Sequence, residues 1–207
     1  SQINKETNGV DGRVSIEVDP RLAHDANETV KQAKILWQQI GEDNLMIKVP
    51  ATKNGLAAFS ELIACGISVN VTLIFSLERY SEVIDAYLAG IKESSQPEKV
   101  HSVASFFVSR LDTAIDPLLK NQTLAGKAAI ANASLAYEIF QDKFADIDKR
   151  FNLQRPLWAS TGVKNPAYRD TKYVEELIAP NTVNTMPPAT LDAFINHGEV
   201  KTDSIAI

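Results

Sequence analysis

The chain of 207 residues is 44% apolar and 23% charged, a balance that is typical of globular domains and excludes disordered and fibrous proteins. No run reaches the roughly 18 uncharged apolar residues that a membrane-spanning helix needs, and the start SQINKETNGVDGR lacks an apolar signal region. A net charge of −5 offers nucleic acids no broad basic surface, although a few cations in one pocket can hold a small phosphorylated ligand. We expect neither a membrane nor a nucleic acid as a partner.

The chain has one cysteine, Cys65, and three scattered histidines. A single cysteine forms no internal disulfide, and the histidines form no zinc-like cluster. These features predict a cytoplasmic protein without a structural metal. Because free cysteines behave as small hydrophobic residues, we expect Cys65 to be buried.

Six β-rich runs alternate along the chain with amphipathic stretches, a pattern typical of parallel strands joined by helices. The sequence therefore predicts an α/β fold with six parallel strands, over residues 14–18, 45–49, 67–75, 103–108, 156–160 and 182–186. No internal repeat or linker divides the chain. We expect a single domain over residues 1–207, with residues 1–12 as a flexible N-terminal segment.

Capping residues and turn residues predict where the helices between these strands begin and end. Asp25 or Asn27 opens the first helix, Gly66 follows the second, and Ser76 caps the third. Two helical patterns fill the longest interval between strands, and the last helix begins near Pro188.

One face of three consecutive strands is polar, although strands covered by helices are usually apolar on both faces. Strict alternation places hydroxyl, amide and charged side chains together on this face. The set consists of Ser15, Glu17, Lys48, Ser68, Asn70 and Thr72. A buried ion pair would explain only the two charged residues. A polar cavity at the carboxyl ends of barrel strands, where α/β barrels place their active sites, explains the whole set.

A lysine within a strand is suited to Schiff-base chemistry. An exposed lysine with the ordinary pKa of about 10.4 is almost wholly protonated at neutral pH, whereas burial disfavours the ammonium and frees the amine to attack a carbonyl. The protonated imine then accepts the electron pair of a breaking carbon–carbon bond. A carboxylate such as Glu17 can move protons directly or through a water, and Thr72 is placed to hold that water.

Six segments of the chain resemble successive strand ends of transaldolase. They are VSIEVDPRLAHD, NLMIKVPAT, GISVNVTLIFS, SVASFFVSR, RPLWASTGVKNP and NTVNTMP. The segments are long and individually specific, they cover nearly the whole chain, and they look like the longer bacterial type. The resemblance implies a (β/α)8 TIM barrel that transfers dihydroxyacetone from a ketose phosphate, fructose 6-phosphate or sedoheptulose 7-phosphate, to an aldose phosphate. It implies a role in the pentose phosphate pathway, and no cofactor or metal.

The resemblance also implies roles for individual side chains. Lys48 of the IKVPAT segment forms the Schiff base, and Glu17 works through a water held by Thr72. Asn70 and Ser105 contact the dihydroxyacetone part of the substrate.

Three further residues match the positions that bind the sugar phosphate in the family: Arg110, Ser160 and Lys164. Arg110 follows a predicted strand by two residues, in a loop where its guanidinium can bind a phosphate with two hydrogen bonds. The hydroxyl of Ser160 and the ammonium of Lys164 complement it after the next strand.

The chain departs from the family pattern in its number of strands. A closed barrel of this class has eight strands, whereas the six predicted strands match the third to the eighth. The first two, which in the family bring an aspartate and an asparagine to the site, have no counterpart before Gly12, and the chain stops at DSIAI soon after Gly198. We expect a fragment whose open edges are covered by a second copy or another chain, or which rearranges into an open sheet.

The sequence leaves other functions open beside transaldolase. A simple class I aldolase would use the same residues without needing an acceptor aldehyde. A catalytically impaired fragment would retain phosphate binding or serve as the structural partner of another chain. Because proton-transfer groups contribute about 10²–10⁴-fold, such a fragment would form the imine yet turn over slowly.

Overall fold

Six parallel strands, paired in the order in which they follow along the chain, form one sheet. The computed structural model describes residues 1–201 and 204–205, so most of the final DSIAI segment lies outside the described residues. The strands are β1 (Val14–Glu17), β2 (Leu45–Pro50), β3 (Val69–Ile74), β4 (Ser102–Phe107), β5 (Gln154–Ala159) and β6 (Val183–Asn184). The predicted α/β class with six parallel strands is confirmed, and each predicted strand boundary agrees to within two residues. The sheet forms a half-barrel.

Helices connect the strands, as the amphipathic stretches predict. They are α1 (Gln2–Glu6), α2 (Ala26–Ile40), α3 (Lys53–Ala64), α4 (Leu77–Glu93), α5 (Ser109–Ile115), α6 (Ala128–Phe144), α7 (Lys172–Glu175) and α8 (Pro188–His197). The side chain of Asp25 caps α2, and that of Ser76 caps α4. Gly66 adopts a φ of +82° just beyond α3. Residues 1–12 contain α1, and their flexibility stays a prediction.

The main core lies between the outer face of the sheet and the helices that cover it. Outward-facing strand residues such as Val71 and Phe106 are fully buried against helix residues such as Phe59 and Tyr87. The rings of Phe59 and Tyr87 stack between α3 and α4 with their centroids 6.5 Å apart. A β-carbon at Gly90 of α4 would lie 2.4 Å from the backbone oxygen of Ser60, so this close approach of the two helices requires glycine.

The inner face of the sheet is apolar on one side and polar on the other. On β4 and β5, together with Met46 of β2, it carries a second, smaller apolar cluster. This cluster consists of Met46, Val103, Phe107, Leu157 and Ala159. The polar side chains predicted for this face lie mainly on β1, β2 and β3.

The predicted alternation is wrong at the end of β3. Strict alternation places Leu73 on the helix side, but the register between β3 and β4 shifts between Val71 and Ile74. Leu73 adopts a φ of +62° and is 46% exposed, while Ile74 takes the buried position against the helices. A bulge of this kind reverses the faces of the residues that follow it.

Three other local predictions are corrected by the structure. Cys65 is exposed, because it caps the C-terminal end of α3 beyond the buried face of that helix. Arg110 lies in the first turn of α5, not in a loop. Ser68 precedes β3, and its buried hydroxyl accepts the backbone N–H of His101, so it is a satisfied structural group.

Candidate active site

Glu17, Lys48 and Asn70 lie side by side on the inner face of the sheet. Glu17 of β1 pairs with Lys48 of β2, which in turn pairs with Asn70 of β3. Paired residues of parallel strands point to the same face. The Lys48 amine lies 3.8 Å from Glu17 Oε2, and the two side chains are 29% and 45% exposed. The amine and the carboxylate are therefore adjacent but reached by solvent, which differs from the dry lysine that the sequence predicts.

Asn70 links three strands across this face. Its Nδ2 donates to Ser15 Oγ of β1 at 3.0 Å, and its Oδ1 accepts from Ser105 Oγ of β4 at 2.7 Å. Because one end of the amide donates and the other accepts, the two bonds fix which way the amide points. Asn70 and Ser105 are both buried, so this orientation is maintained without help from bulk water.

Thr72 lies two residues after Asn70 and pairs with Pro50 of β2. Its hydroxyl is buried and has no hydrogen-bond partner among the described residues. A buried hydroxyl without a partner costs about 1–3 kcal/mol, so such a group is suited to bind a water or a substrate hydroxyl.

Arg110 and Ser160 are brought together by contacts between β4, β5 and the start of α5. The backbone N–H of Ser109 donates to the backbone oxygen of Ser160 at 3.0 Å, and the two serine hydroxyls lie 3.0 Å apart. The Arg110 guanidinium lies over the ring of Phe107, 4.8 Å from its centroid. Arg110 forms no ion pair within the part of the chain that the structure describes, which leaves its guanidinium nitrogens free to bind an anion.

Lys164 lies further along the segment that follows β5. Its exposed side chain lines a cavity of about 200 Å³ together with Thr113, which is on the same helix as Arg110. Within residues 1–201 and 204–205, the Lys164 amine forms no salt bridge with a carboxylate and no hydrogen bond with Ser160. The structure thus places Ser160 against the residue before Arg110, and places Lys164 in a cavity that the helix of Arg110 also lines.

The pair of aromatic rings beneath Arg110, those of Phe75 and Phe107, was not identified from the sequence. Phe75, which follows β3, contacts Phe107 of β4 with ring centroids 5.2 Å apart. Both phenylalanines occur in apolar runs, so nothing in the residue pattern distinguishes them from core residues. Their proximity follows only from the pairing of β3 with β4.

His101 lies at the opposite, amino-terminal end of β4. Burial and the neighbouring guanidiniums of Arg13 and Arg155 lower the pKa of His101 to about 4. The imidazole is therefore neutral at neutral pH.

Comparison with known proteins identifies the family. The family model described as Transaldolase/Fructose-6-phosphate aldolase matches residues 1–206. The chain belongs to this family. The resemblance that the strand-end segments carry is confirmed.

Individual members of the transaldolase/fructose-6-phosphate aldolase family are closely similar to the chain. "Transaldolase 2" of Streptomyces avermitilis is 56% identical over 97% of this chain and 58% of its own length. "Transaldolase 1" of Streptomyces coelicolor is 58% identical over 95% of this chain and 56% of its own length. "Transaldolase" of Mycobacterium tuberculosis is 54% identical over 97% of this chain and 58% of its own length. The chain therefore spans somewhat more than half the length of these relatives.

The described residues contain neither a metal-binding cluster nor a membrane-spanning helix. Among them, no group of three or more His, Cys, Asp or Glu side chains is arranged to hold a metal ion. None of their helices combines the length and the hydropathy that crossing a bilayer requires.

Proposed function

We propose that this family member acts as a transaldolase, with Lys48 as its Schiff-base nucleophile. The observation that carries the proposal is the row of paired residues Glu17, Lys48 and Asn70, in which a primary amine lies 3.8 Å from a carboxylate. An amine beside a proton-transfer group is the arrangement that imine formation and carbon–carbon cleavage need.

The reaction begins when the unprotonated Lys48 amine adds to the C2 carbonyl of a ketose phosphate, such as fructose 6-phosphate or sedoheptulose 7-phosphate. The carbinolamine loses water and becomes a protonated imine. The C4 hydroxyl then loses its proton, the electrons of the C3–C4 bond move to the imine nitrogen, and an aldose phosphate leaves. An enamine of dihydroxyacetone remains on Lys48.

The second half of the reaction returns the lysine. The enamine carbon attacks the aldehyde of an acceptor aldose phosphate, whose oxygen takes up a proton, and water hydrolyses the new imine. Glu17 moves these protons directly or through a water held by the buried hydroxyl of Thr72. The cycle balances without a cofactor or a metal.

The remaining candidates bind the substrate in this proposal. Asn70 and Ser105 hydrogen-bond the hydroxyls of the dihydroxyacetone part, and Arg110, Ser160 and Lys164 bind the phosphate. Two observations support the phosphate site: Ser160 lies against the residue before Arg110, and neither Arg110 nor Lys164 forms a salt bridge with a carboxylate of the described chain.

Borohydride trapping tests the proposal. With fructose 6-phosphate alone, reduction should attach a 1,3-dihydroxyprop-2-yl group to Lys48, as located by peptide mass mapping. Lys48→Met should abolish the adduct, whereas Lys53→Met, which changes an exposed lysine five residues away, should keep it. An unmodified Lys48 in folded protein would refute the proposal, provided that the Mycobacterium tuberculosis relative is labelled in the same assay.

A simple aldolase is the second candidate, and the exposure of Lys48 favours it. Water that reaches the lysine can hydrolyse the dihydroxyacetone imine before an acceptor binds. Release of many equivalents of aldose phosphate per chain without an added acceptor would identify the aldolase. A transferase without an acceptor would stop after one equivalent, because the dihydroxyacetone unit stays on Lys48. Trapping without turnover would identify an impaired fragment that retains phosphate binding or a structural role.

We also propose that the protein works in the cytoplasm and that a second copy or another chain covers the open edges of the sheet. The single exposed cysteine suits a reducing compartment. The sheet ends in two edge strands, β1 and β6, whose outer backbone groups can pair with another chain, and Val14 on β1 is an exposed apolar residue at one of these edges. Sedimentation equilibrium tests the second point, and a monomer that unfolds cooperatively in dilute solution would contradict it.

A further inference from the structure

Two carboxylates that follow Arg110 have no role in the proposed reaction. Asp112 lies on α5, two residues after Arg110, and Asp116 lies one helical turn later, where α5 ends. Residues four apart on a helix lie on the same face, so both carboxylates face the same neighbours.

Asp112 joins α5 to two other parts of the chain. Its Oδ1 accepts the backbone N–H of Ala129, at the start of α6, at 2.8 Å. Its Oδ2 accepts the hydroxyl of Tyr173, on α7, at 2.8 Å. The Asp112 side chain is 1% exposed, so both bonds are shielded from water.

Asp116 repeats this arrangement one turn later. Its Oδ1 accepts the backbone N–H of Gly126 at 3.0 Å, and its Oδ2 accepts the hydroxyl of Tyr168 at 2.6 Å. The Tyr168 ring also packs closely against the backbone at Gly126, because a β-carbon at this glycine would lie 2.9 Å from Tyr168 Cζ. Each carboxylate therefore uses one oxygen for the α5–α6 connection and the other for a tyrosine from the segment after β5.

The two tyrosines belong to the segment that carries Lys164. Lys164 precedes Tyr168 by four residues and lines the same small cavity as Asp112, Asp116 and Tyr173. Hydrogen bonds between a neutral hydroxyl and a carboxylate are charge-assisted and stronger than ordinary ones. Burial and the bond to Asp112 raise the pKa of Tyr173, so its hydroxyl remains a donor at neutral pH.

Hydroxyl and N–H donors occupy both oxygens of Asp112 and both oxygens of Asp116. Among the described residues, the Lys164 amine makes no ion pair with Asp112 or Asp116. Arg110 lies on α5 together with Asp112, and Asp116 caps the end of the same helix. The carboxylate–tyrosine bonds thus join the helix that carries Arg110 to the segment that carries Lys164.

We propose that Asp112 and Asp116 are positioning residues that, through Tyr173 and Tyr168, set the distance between Lys164 and Arg110 for a substrate phosphate. This inference rests on the proposed function and deepens it, because it assigns selectivity for phosphorylated donors to residues that do not touch the substrate. Loss of either tyrosine hydroxyl releases one tether and leaves the Schiff-base residues on β1, β2 and β3 in place.

Tyr168→Phe and Tyr173→Phe test the inference, because each removes one hydroxyl and keeps the ring. Tyr87→Phe is the matched control, because it removes a buried hydroxyl that donates to the backbone oxygen of Asn152 at 2.5 Å and touches neither carboxylate. The measurement is the concentration dependence of borohydride trapping at Lys48, with fructose 6-phosphate and with unphosphorylated dihydroxyacetone.

We expect each tyrosine variant to raise the half-saturating concentration of fructose 6-phosphate roughly tenfold, the size of one lost hydrogen bond to a charged group. Trapping with dihydroxyacetone and the maximal extent of trapping should stay unchanged. Tyr87→Phe should leave the ratio of the two donors unchanged.

The outcomes separate the inference from the proposed function. Equal weakening of both donors, or no change in either, would show that the tyrosines only support the fold, and would overturn the positioning role alone. Absence of trapping in the wild-type chain would overturn the proposed function and the positioning role with it. If Tyr173→Phe fails to fold, the result for Tyr168→Phe alone tests the positioning role. Tyr168 is less buried than Tyr173, so its substitution disturbs the fold less.

Discussion

Asn70 offers the sharpest test of the geometry on the inner face. Asn70→Ala removes the bond to Ser105 at 2.7 Å and the bond to Ser15 at 3.0 Å. The two losses are not equal, because Ser15 is exposed and can bond water instead, whereas Ser105 is 2% exposed and cannot. Most of the destabilisation should therefore come from the unpaired hydroxyl of Ser105.

The size of the effect follows from these bonds. Each neutral hydrogen bond contributes about 0.5–1.5 kcal/mol, and a buried group left without a partner costs about 1–3 kcal/mol. We expect Asn70→Ala to lower the free energy of unfolding by about 2 kcal/mol. For a chain of this size, that corresponds to a fall in Tm of roughly 4–8 °C.

A double-mutant cycle with Ser105→Ala isolates the bond of interest. Urea unfolding of the wild type, the two single variants and the double variant should give a coupling free energy of about 0.5–1.5 kcal/mol. The matched cycle of Asn70→Ala with Ser15→Ala should give a smaller value. If the coupling to Ser105 is no larger than the coupling to Ser15, the hydrogen-bond network that orients Asn70 is refuted.

Two further predictions concern packing and pH. Gly90→Ala should lower the free energy of unfolding by about 1–3 kcal/mol, because the new β-carbon would lie 2.4 Å from the backbone oxygen of Ser60. This loss should outweigh the better helix propensity of alanine. An unchanged urea unfolding curve would contradict the close approach of α3 and α4. For His101, burial and the guanidiniums of Arg13 and Arg155 lower the pKa from 6.5 to about 4. The unfolded chain therefore takes up this proton near pH 6.5 and the folded chain only near pH 4, so the stability is intact above pH 6.5 and falls between pH 6.5 and 4. His101→Asn should flatten that part of the stability profile, and equal slopes in both proteins would rule out the assigned cause.

The strands could be predicted because their sequence pattern is unambiguous. Short β-branched runs separated by capped helices leave few alternatives, and parallel pairing in chain order then places Glu17 beside Lys48 and Lys48 beside Asn70. The bulge at Leu73 could not be predicted in this way. Its left-handed backbone carries no glycine, so the sequence gives no local signal for it.

The contacts within the site were less accessible to sequence reasoning than its location. Alternation indicates which side chains share a face, but not which of them bond to each other. It groups Ser15, Glu17 and Asn70 on one face, but only the structure shows that Asn70 of β3 bonds Ser15 of β1 past the intervening strand β2. The tethers from Asp112 and Asp116 depend on how a long connection folds back on α5, and no short-range pattern encodes that path.

The polar groups of the inner face divide into two kinds, and the division argues for a ligand. Ser15, Asn70 and Ser105 satisfy one another, as expected of a network that fixes a geometry. Thr72, on the same face, buries a hydroxyl that finds no partner among the described residues. A residue that served only stability would be valine at this position, because valine has nearly the same shape as threonine and no hydroxyl to bury without a partner. An ordered Thr72 hydroxyl next to a fixed amide and a lysine–carboxylate pair is therefore best explained by a water or a substrate oxygen that completes its hydrogen bonds.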